Sequence, residues 1–195
     1  RSECYGHFDD AERFAFFSKA VLYILPMIKF MPDIIHANDW QTSLIPIYLS
    51  AKYSGYEGYR DIKSIITIHN IEYQGVFDLA ISEDVFDLHG KEKGIIEFKG
   101  AINLLKGALE TAHFISTVSE SYSKEILDDY YAHGLAEIIQ KNSSKIKGIL
   151  NGIDTEKYNP EDDTEIFENY NAESIQKKYL NKINLQSLSG LPQDE

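Results

Sequence analysis

One run of β-branched residues that ends in a polar corner constrains the fold of this chain more than any other feature. Residues 65–68 (Ile-Ile-Thr-Ile) predict a strand buried on both faces, as the central strands of parallel sheets are. His69 and Asn70 follow this strand directly. Open α/β sheets bind ligands just beyond the carboxyl ends of such strands, so both side chains are well placed to meet a ligand. The alternative is a strand-end histidine that only bonds a neighbouring loop.

Three more short apolar runs predict strands, and the segments between them show helical periodicity. Pro26 is expected to kink or shorten the first helix, and Ser119 is expected to cap the helix at 120–127. Strands that alternate with helices predict an α/β fold with one parallel sheet and right-handed crossovers. The further predicted strands are 34–37, 113–118 and 146–150; the predicted helices are 9 or 10 to about 28, 42–53, 98–110, 120–127, 135–141 and 172–183, with a short one starting at Ser82.

The composition limits the partners of the chain. Its 195 residues can bury one sizeable core, and a formal net charge of −12 would repel a nucleic-acid backbone or an anionic membrane, so neither partner is expected. No apolar run reaches the length of a membrane span. Cys4 is the only cysteine, which excludes an intrachain disulfide and fits a cytoplasmic location. Because the chain opens on Arg1 and its first methionine is Met27, we expect it to be an excised part of a longer protein.

Polar side chains gather at three of the predicted strand ends. Since the carboxyl ends of parallel strands share one edge of a sheet, these corners are expected to converge on one cleft. Their carboxylates and amides suit the hydroxyl groups of a ligand, and their aromatic rings suit the apolar face of a sugar. Each corner alone is weak evidence for a binding site, and the sequence Asn-Gly-Ile-Asp most often forms only a turn. The corners are His36, Asn38, Asp39 and Trp40; His69, Asn70, Tyr73 and Gln74; and Asn151, Gly152 and Asp154, with a weaker set at Thr117, Ser119 and Glu120.

Other site chemistries fit the sequence less well. His36, His69 and Asp39 are possible metal ligands, but they lack the usual spacing, so no metal is expected. The chain has no Gly-x-Ser-x-Gly elbow for a Ser-His-Asp hydrolase, and no Gly-rich dinucleotide or P-loop fingerprint. His113 and His133 are interpreted as structural.

Five motifs in the same order as in one known family run along the chain. They are Ala-Glu-Arg-Phe-Ala-Phe-Phe-Ser at 11–18, His-Ala-Asn-Asp-Trp-Gln-Thr at 36–42, Thr-Ile-His-Asn-Ile-Glu-Tyr-Gln-Gly-Val-Phe at 67–77, Thr-Val-Ser at 117–119 and Leu-Asn-Gly-Ile-Asp at 150–154. Together they closely resemble the bacterial glycogen synthases and plant starch synthases, which use ADP-glucose. The resemblance covers roughly Tyr5 to Pro192. It departs at Asn38 and Gln41, where histidine is common in the family.

The resemblance implies a B-type glycosyltransferase fold, in which two Rossmann-like domains enclose the active site without a metal or cofactor. Residues 1–190 would form part of the N-terminal domain, a Rossmann-like parallel sheet with helices on both faces, and 191–195 would start the interdomain linker. His69 matches the active-site histidine that contacts the transferred glucose, and Asn151 matches a donor-site asparagine. The remaining substrate-binding residues that the resemblance implies are Asp39, Trp40, Asn70, Tyr73 and Gln74.

The function implied by the resemblance is retaining transfer of glucose from ADP-glucose to the non-reducing end of an α-1,4-glucan. The family's Lys-x-Gly-Gly loop and its C-terminal domain, which holds the diphosphate, are missing from this chain, so the chain alone is expected to be inactive. Two alternatives remain: a related retaining glycosyltransferase with another donor, similar to sucrose synthase, and a non-catalytic α/β sugar-binding module. The strand at 34–37 is expected to be an unpaired edge through which the chain self-associates.

Overall fold

The computed structural model describes residues 3–193 and contains seven α-helices and seven strands within that range. The helices are α1 (Asp10–Met27), α2 (Leu44–Tyr48), α3 (Lys93–Ile96), α4 (Leu104–Thr111), α5 (Glu120–Glu125), α6 (Ala136–Lys141) and α7 (Lys178–Leu188). The strands are β1 (Ile34–Asn38), β2 (Lys63–Ile68), β3 (Val76–Phe77), β4 (Glu97–Phe98), β5 (Ala101–Asn103), β6 (Phe114–Thr117) and β7 (Ile146–Gly148). The end of the predicted linker, residues 194 and 195, lies outside the described residues.

Four strands form the main sheet in the order β1-β2-β6-β7, and all of them are parallel, which confirms the predicted α/β sheet. Alternate residues of β2 and β6, such as Ile66, Ile68 and Ile115, are fully buried in the core. Helix α2 packs on β2 and contacts both α1 and α4. The carboxyl ends of β1 and β2 therefore lie side by side, since Asn38 and Thr67 are partners in the register.

A hydrogen-bond chain crosses three of these strands on the face opposite Ile66. His36 Nε2 lies 2.6 Å from Thr67 Oγ1, and Thr67 Oγ1 lies 2.6 Å from Ser116 Oγ. Thr67 and Ser116 are buried. The bonds tie β1, β2 and β6 together through their side chains, so His36 has a structural partner inside the sheet.

Helix α1 ends one residue after Pro26, which agrees with the prediction that this proline shortens the helix. Pro26 occupies the last turn and has no N–H for the Leu22 carbonyl, which accepts from the Tyr59 hydroxyl at 2.8 Å instead. The helix stops at Met27, and Lys29, with a φ of 54°, closes it by donating to Pro26 O at 3.2 Å. The inner face of the helix, with Leu22 and Leu25, is buried in the core. Its outer face is apolar but exposed, and it includes Phe16, Phe17, Tyr23, Ile24 and Met27.

A small antiparallel sheet in the order β3-β5-β4 corrects the predicted helix at 98–110. Lys99 and Gly100 have φ values of 53° and 83° and close the β4–β5 hairpin in a two-residue turn that requires positive φ at both positions. The helix begins only at Leu104, where the Asn103 side chain accepts a hydrogen bond of 2.9 Å from Lys106 N.

The predicted helix starting at Ser82 is also wrong. A 3₁₀ turn covers Leu79–Ser82 instead and ends where the prediction begins. Asp78 caps this turn by accepting a hydrogen bond of 2.8 Å from Ala80 N. The capping carboxylate therefore lies four residues before the predicted start of the helix.

The chain forms two compact units, one up to Leu150 and the other from Asn151 onwards. In the second unit the Asn171 side chain accepts hydrogen bonds from Glu173 N and Ser174 N and starts a 3₁₀ turn at Ala172–Lys177, which runs into α7. The helix predicted at 172–183 is thus a 3₁₀ turn followed by an α-helix. The boundary between domain and linker at 190 stays a prediction.

Candidate functional site

Asp39, directly after β1, adopts a backbone conformation that is rare for any residue except glycine. Its φ is 55° and its ψ is −173°, a combination that costs on the order of 1–3 kcal/mol and persists only where neighbouring groups impose it. Asp39 N donates to Thr67 O at 2.9 Å, and Asp39 O accepts from Ser43 Oγ at 3.1 Å. The carboxylate accepts from the backbone N–H of His69 at 2.8 Å. These bonds turn the Asp39 side chain towards the end of β2.

His69 stands at the end of β2, and its imidazole is exposed. The ring nitrogen Nε2 lies 3.2 Å from Oδ1 of Asn38, the last residue of β1. Asn38 is itself fixed, because Thr42 Oγ1 accepts from Asn38 N at 2.6 Å and donates to Asn38 O at 2.7 Å. The end of β1 therefore holds the histidine at two points, through Asp39 on its backbone and through Asn38 on its ring.

The loop after His69 is held by hydrogen bonds to three other segments of the chain. Ile71 N donates to the Tyr122 hydroxyl at 3.0 Å, and burial raises the pKa of this phenol, so it stays neutral. The Gln74 amide donates to the carbonyl oxygens of Ile71 and His133, both at 3.0 Å, and accepts from Asn103 Nδ2 at 2.7 Å. The structure thus uses the Gln74 amide, a predicted substrate-binding group, to hold the loop together.

A cavity of about 320 Å³ opens at these strand ends. It brings together four of the predicted site residues, Asp39, His69, Asn70 and Tyr73, with two that were not predicted, and it is lined by Tyr5, Asp39, Gln41, His69, Asn70 and Tyr73. Tyr5 and Tyr73 meet edge to face with their ring centroids 6.4 Å apart. No lysine or arginine is among the lining residues. Hydrogen-bonding groups beside aromatic rings suit a neutral, hydroxyl-rich ligand.

Tyr5 reaches the cavity because the start of α1 holds the segment before it. The Asp10 carboxylate accepts hydrogen bonds from Gly6 N and His7 N, and Arg13 donates to the Cys4 carbonyl at 3.0 Å. Burial opposes ionisation of Asp10, but the two amides and the Arg13 guanidinium together hold its pKa below the usual value. The Asp10 side chain therefore bonds back to the turn that precedes α1.

Trp40 lies in the core and is absent from the lining of this cavity. It is 6% exposed and packs edge to face against Phe14 and Phe77, with ring centroids 5.0 and 5.8 Å apart. Gly75 lies so close that a Cβ there would sit 2.6 Å from the indole. Trp40 was predicted to bind substrate; the structure places it under the loop that carries Tyr73.

Asn151 belongs to the second unit, so its predicted role at the donor site stays a prediction. A larger cavity of about 490 Å³ lies elsewhere, against the outer face of α1. Most of its lining side chains are apolar or aromatic, and it contains none of the strand-end residues. The smaller, polar cavity is therefore the candidate site.

Residues 3–193 contain neither a metal-binding cluster nor a membrane-spanning helix. No group of three or more His, Cys, Asp or Glu side chains is arranged to hold a metal ion. Within the same range, no helix is both long enough and apolar enough to cross a membrane.

Comparisons with known proteins show which family the chain is similar to. A family model described as the starch synthase catalytic domain matches residues 1–141. The glycogen synthase of Clostridioides difficile is 45% identical over the whole chain, and that of Geobacillus thermodenitrificans is 42% identical over 99% of it. The chain spans about two fifths of the length of these relatives. The catalytic domain of starch synthase IV from Arabidopsis thaliana, solved with ADP and acarbose, superimposes with a TM-score of 0.76 at 32% identity, covering 100% of this chain and 40% of that one.

The four parallel strands and their flanking helices define an α/β domain with a polar cavity at the carboxyl ends of β1 and β2. The chain belongs to the family of starch synthase catalytic domains.

Proposed function

We propose that this chain supplies the sugar-binding half of the active site in a longer retaining glucosyltransferase. The enzyme would transfer glucose from ADP-glucose to the non-reducing end of an α-1,4-glucan. The observation that carries the proposal is the convergence of Asp39, His69, Asn70 and Tyr73 on one cavity. Membership of the starch synthase family supports the reaction, and a similar structure was solved with ADP and the oligosaccharide analogue acarbose.

The division of roles follows from the chemistry of the cavity wall. His69 and Asn70 would hold the glucosyl group through hydroxyl contacts, while Asp39 and Tyr73 would shape the acceptor side. Because no cation lines the cavity and the chain carries a net charge of −12, the donor diphosphate needs positive groups from elsewhere in the longer protein. Such groups stabilise the charge that develops on the leaving diphosphate. The chain alone would therefore not transfer glucose.

The test is His69→Ala in the full-length enzyme, assayed with ADP-glucose and glycogen. We expect the transfer rate to fall by about 10²–10⁴-fold, the usual loss for a proton-transfer or charge-stabilising group. Unfolding free energy should change by less than about 0.5 kcal/mol, because the imidazole is exposed and the bond to Asp39 comes from the backbone.

His89→Ala is the matched control, since this exposed histidine lies outside the cavity and its imidazole pairs with the acids Asp87 and Glu83. It should keep the wild-type rate. A His69→Ala enzyme with more than about a tenth of wild-type activity contradicts the proposed role, as a loss of this size is below the usual range. Binding of glucan without transfer by the wild-type enzyme would instead favour a non-catalytic sugar-binding module.

The proposal extends to the partners and location of the chain. Besides ADP-glucose and the glucan, the chain would contact the C-terminal domain of its own longer protein. The isolated chain would self-associate, since β1 lies at the edge of the described sheet, Ile34 on it is 55% exposed, and the outer face of α1 is apolar and exposed. A cytoplasmic location is supported by the single cysteine, Cys4.

A further inference from the structure

The contact between Asn38 and His69 joins two of the polar strand-end corners, and the resemblance assigns Asn38 no role. Asn38 Oδ1 lies 3.2 Å from His69 Nε2. The backbone of Asn38 is held on both sides, by pairing with β2 and by the two bonds to the Thr42 hydroxyl. The amide therefore meets the imidazole from a rigid position.

A hydrogen bond at one ring nitrogen of a histidine fixes the role of the other. A neutral imidazole carries one N–H and one acceptor nitrogen, and the partner of one nitrogen selects the tautomer. If the Asn38 carbonyl accepts from Nε2–H, then Nδ1 has no proton and becomes an acceptor. Within residues 3–193 the structure gives Nδ1 no hydrogen-bond partner, and His69 lines the cavity. Nδ1 is then the ring nitrogen available to a ligand.

We propose that Asn38 is a positioning residue, whose carbonyl oxygen holds His69 in the Nε2–H tautomer so that Nδ1 accepts a hydrogen bond from a ligand hydroxyl. The inference rests on the proposed function and deepens it, because it names the atom of His69 that meets the sugar and the group that orients it. An amide suits this task better than a carboxylate, since a neutral carbonyl does not favour the imidazolium, in which both nitrogens are donors.

Two substitutions at this position separate orientation from charge. Asn38→Leu removes the acceptor with little change in volume. Asn38→Asp keeps an acceptor but adds a negative charge that favours the imidazolium. The titratable groups that share the cavity with His69 are Asp39, Tyr5 and Tyr73, and all three are present in both variants, so their titration cancels when each variant is compared with wild type at the same pH.

The first experiment does not depend on activity. Full-length protein labelled with ¹⁵N-histidine is compared with its Asn38→Leu variant by NMR at alkaline pH, and the His69 signals are assigned with His69→Gln. We expect wild type to show one neutral tautomer with the proton on Nε2, and Asn38→Leu to show the averaged signals of two tautomers. An Nδ1–H tautomer in wild type, or signals that Asn38→Leu leaves unchanged, would overturn the inference whether or not the enzyme transfers glucose.

The second experiment follows glucose transfer against pH. Asn38→Leu should lower kcat by about fivefold to tenfold at every pH, the rate equivalent of one neutral hydrogen bond. Asn38→Asp should be as impaired at low pH but recover towards wild type as the pH rises and the imidazolium loses its proton. In a His69→Ala background, Asn38→Leu should cost less than about twofold. Equal losses in both backgrounds, or parallel pH profiles for the two variants, would show that Asn38 acts only as a structural residue.

Discussion

At the scale of single residues, the backbone of Asp39 stores strain to aim a carboxylate. No other residue type than glycine adopts its combination of φ 55° and ψ −173° without cost, yet the side chain is needed to accept the His69 N–H at 2.8 Å. Two hydrogen bonds hold the strained backbone: Asp39 N donates to the Thr67 carbonyl of β2, and the Ser43 hydroxyl donates to Asp39 O. Strain that is maintained in this way at a cavity wall is a mark of a functional position.

Because of this strain, we expect a glycine variant at position 39 to be more stable than an alanine variant, the reverse of the usual order. Both Asp39→Ala and Asp39→Gly remove the carboxylate, but only glycine relieves the backbone. Glycine normally destabilises by about 0.5–1 kcal/mol relative to alanine, whereas here we expect Asp39→Gly to be the more stable variant by about 1 kcal/mol. Urea denaturation of the two variants measures the difference. An alanine variant at least as stable as the glycine variant would show that Asp39 is not strained.

The residue types in the sequence predicted some of the side chains that line the cavity but not all of them. Asp39, His69, Asn70 and Tyr73 could be selected because polar residues at parallel strand ends must share one edge. Trp40 sits in the same corner, but residue type alone does not say whether a ring faces the cavity or the core. Its neighbours Phe14 and Phe77 come from distant segments and draw it inwards.

At the scale of elements, the loop after β2 is a thin layer packed on Trp40. Gly75 has a φ of 65°, and a Cβ at this position would lie 2.6 Å from the buried indole. Its carbonyl also accepts from Leu104 N, at the start of α4. The loop that carries Tyr73 can stay in this place only if residue 75 has no side chain.

Gly75→Ala is therefore expected to destabilise the chain more than a glycine substitution with the same backbone cost. Gly90 is the matched control, because its φ is also positive, at 52°, but nothing lies within 4 Å of its Cβ position. Overpacking costs typically about 1–3 kcal/mol, so Gly75→Ala should exceed Gly90→Ala by about that amount in thermal or urea unfolding. Trp40 is the only tryptophan of the chain, and its fluorescence should change in Gly75→Ala alone. Equal effects of the two variants would contradict the packing argument.

The elements that could be predicted are those whose signal is carried by consecutive residues. Three of the main strands contain consecutive apolar residues, at 34–35, 65–66 and 114–115. Ser119 caps α5 through Tyr122 N at 2.9 Å, as predicted. The hairpin of β4 and β5 was missed because strands of two and three residues are too short to show alternation. Its signal is the turn at Lys99 and Gly100, which has meaning only once both flanking segments are known to pair.

At the scale of the whole molecule, charge and apolar surface oppose one another. The net charge of −12 favours separate chains, but repulsion is largely screened beyond about 8 Å at physiological salt. Edge pairing and apolar burial act at contact. The outer face of α1 and the segment that joins α1 to β1 expose several large apolar side chains, including Phe16, Tyr23, Met27, Ile28 and Phe30.

Contact forces should therefore prevail, and the isolated chain is expected to self-associate at micromolar concentration in moderate salt. Ile34→Lys on β1 should weaken this association, since a lysine on an edge strand opposes strand pairing. Ile153→Lys, in the second unit, is the matched control: it makes the same change in charge at a residue that is 74% exposed and is not part of β1. Light scattering should give a larger mass for wild type and Ile153→Lys than for Ile34→Lys. A monomeric wild-type chain with a cooperative melt would mean that the edge and the apolar face of α1 attract no partner copy, and equal masses for the two variants would place the contact elsewhere on the surface.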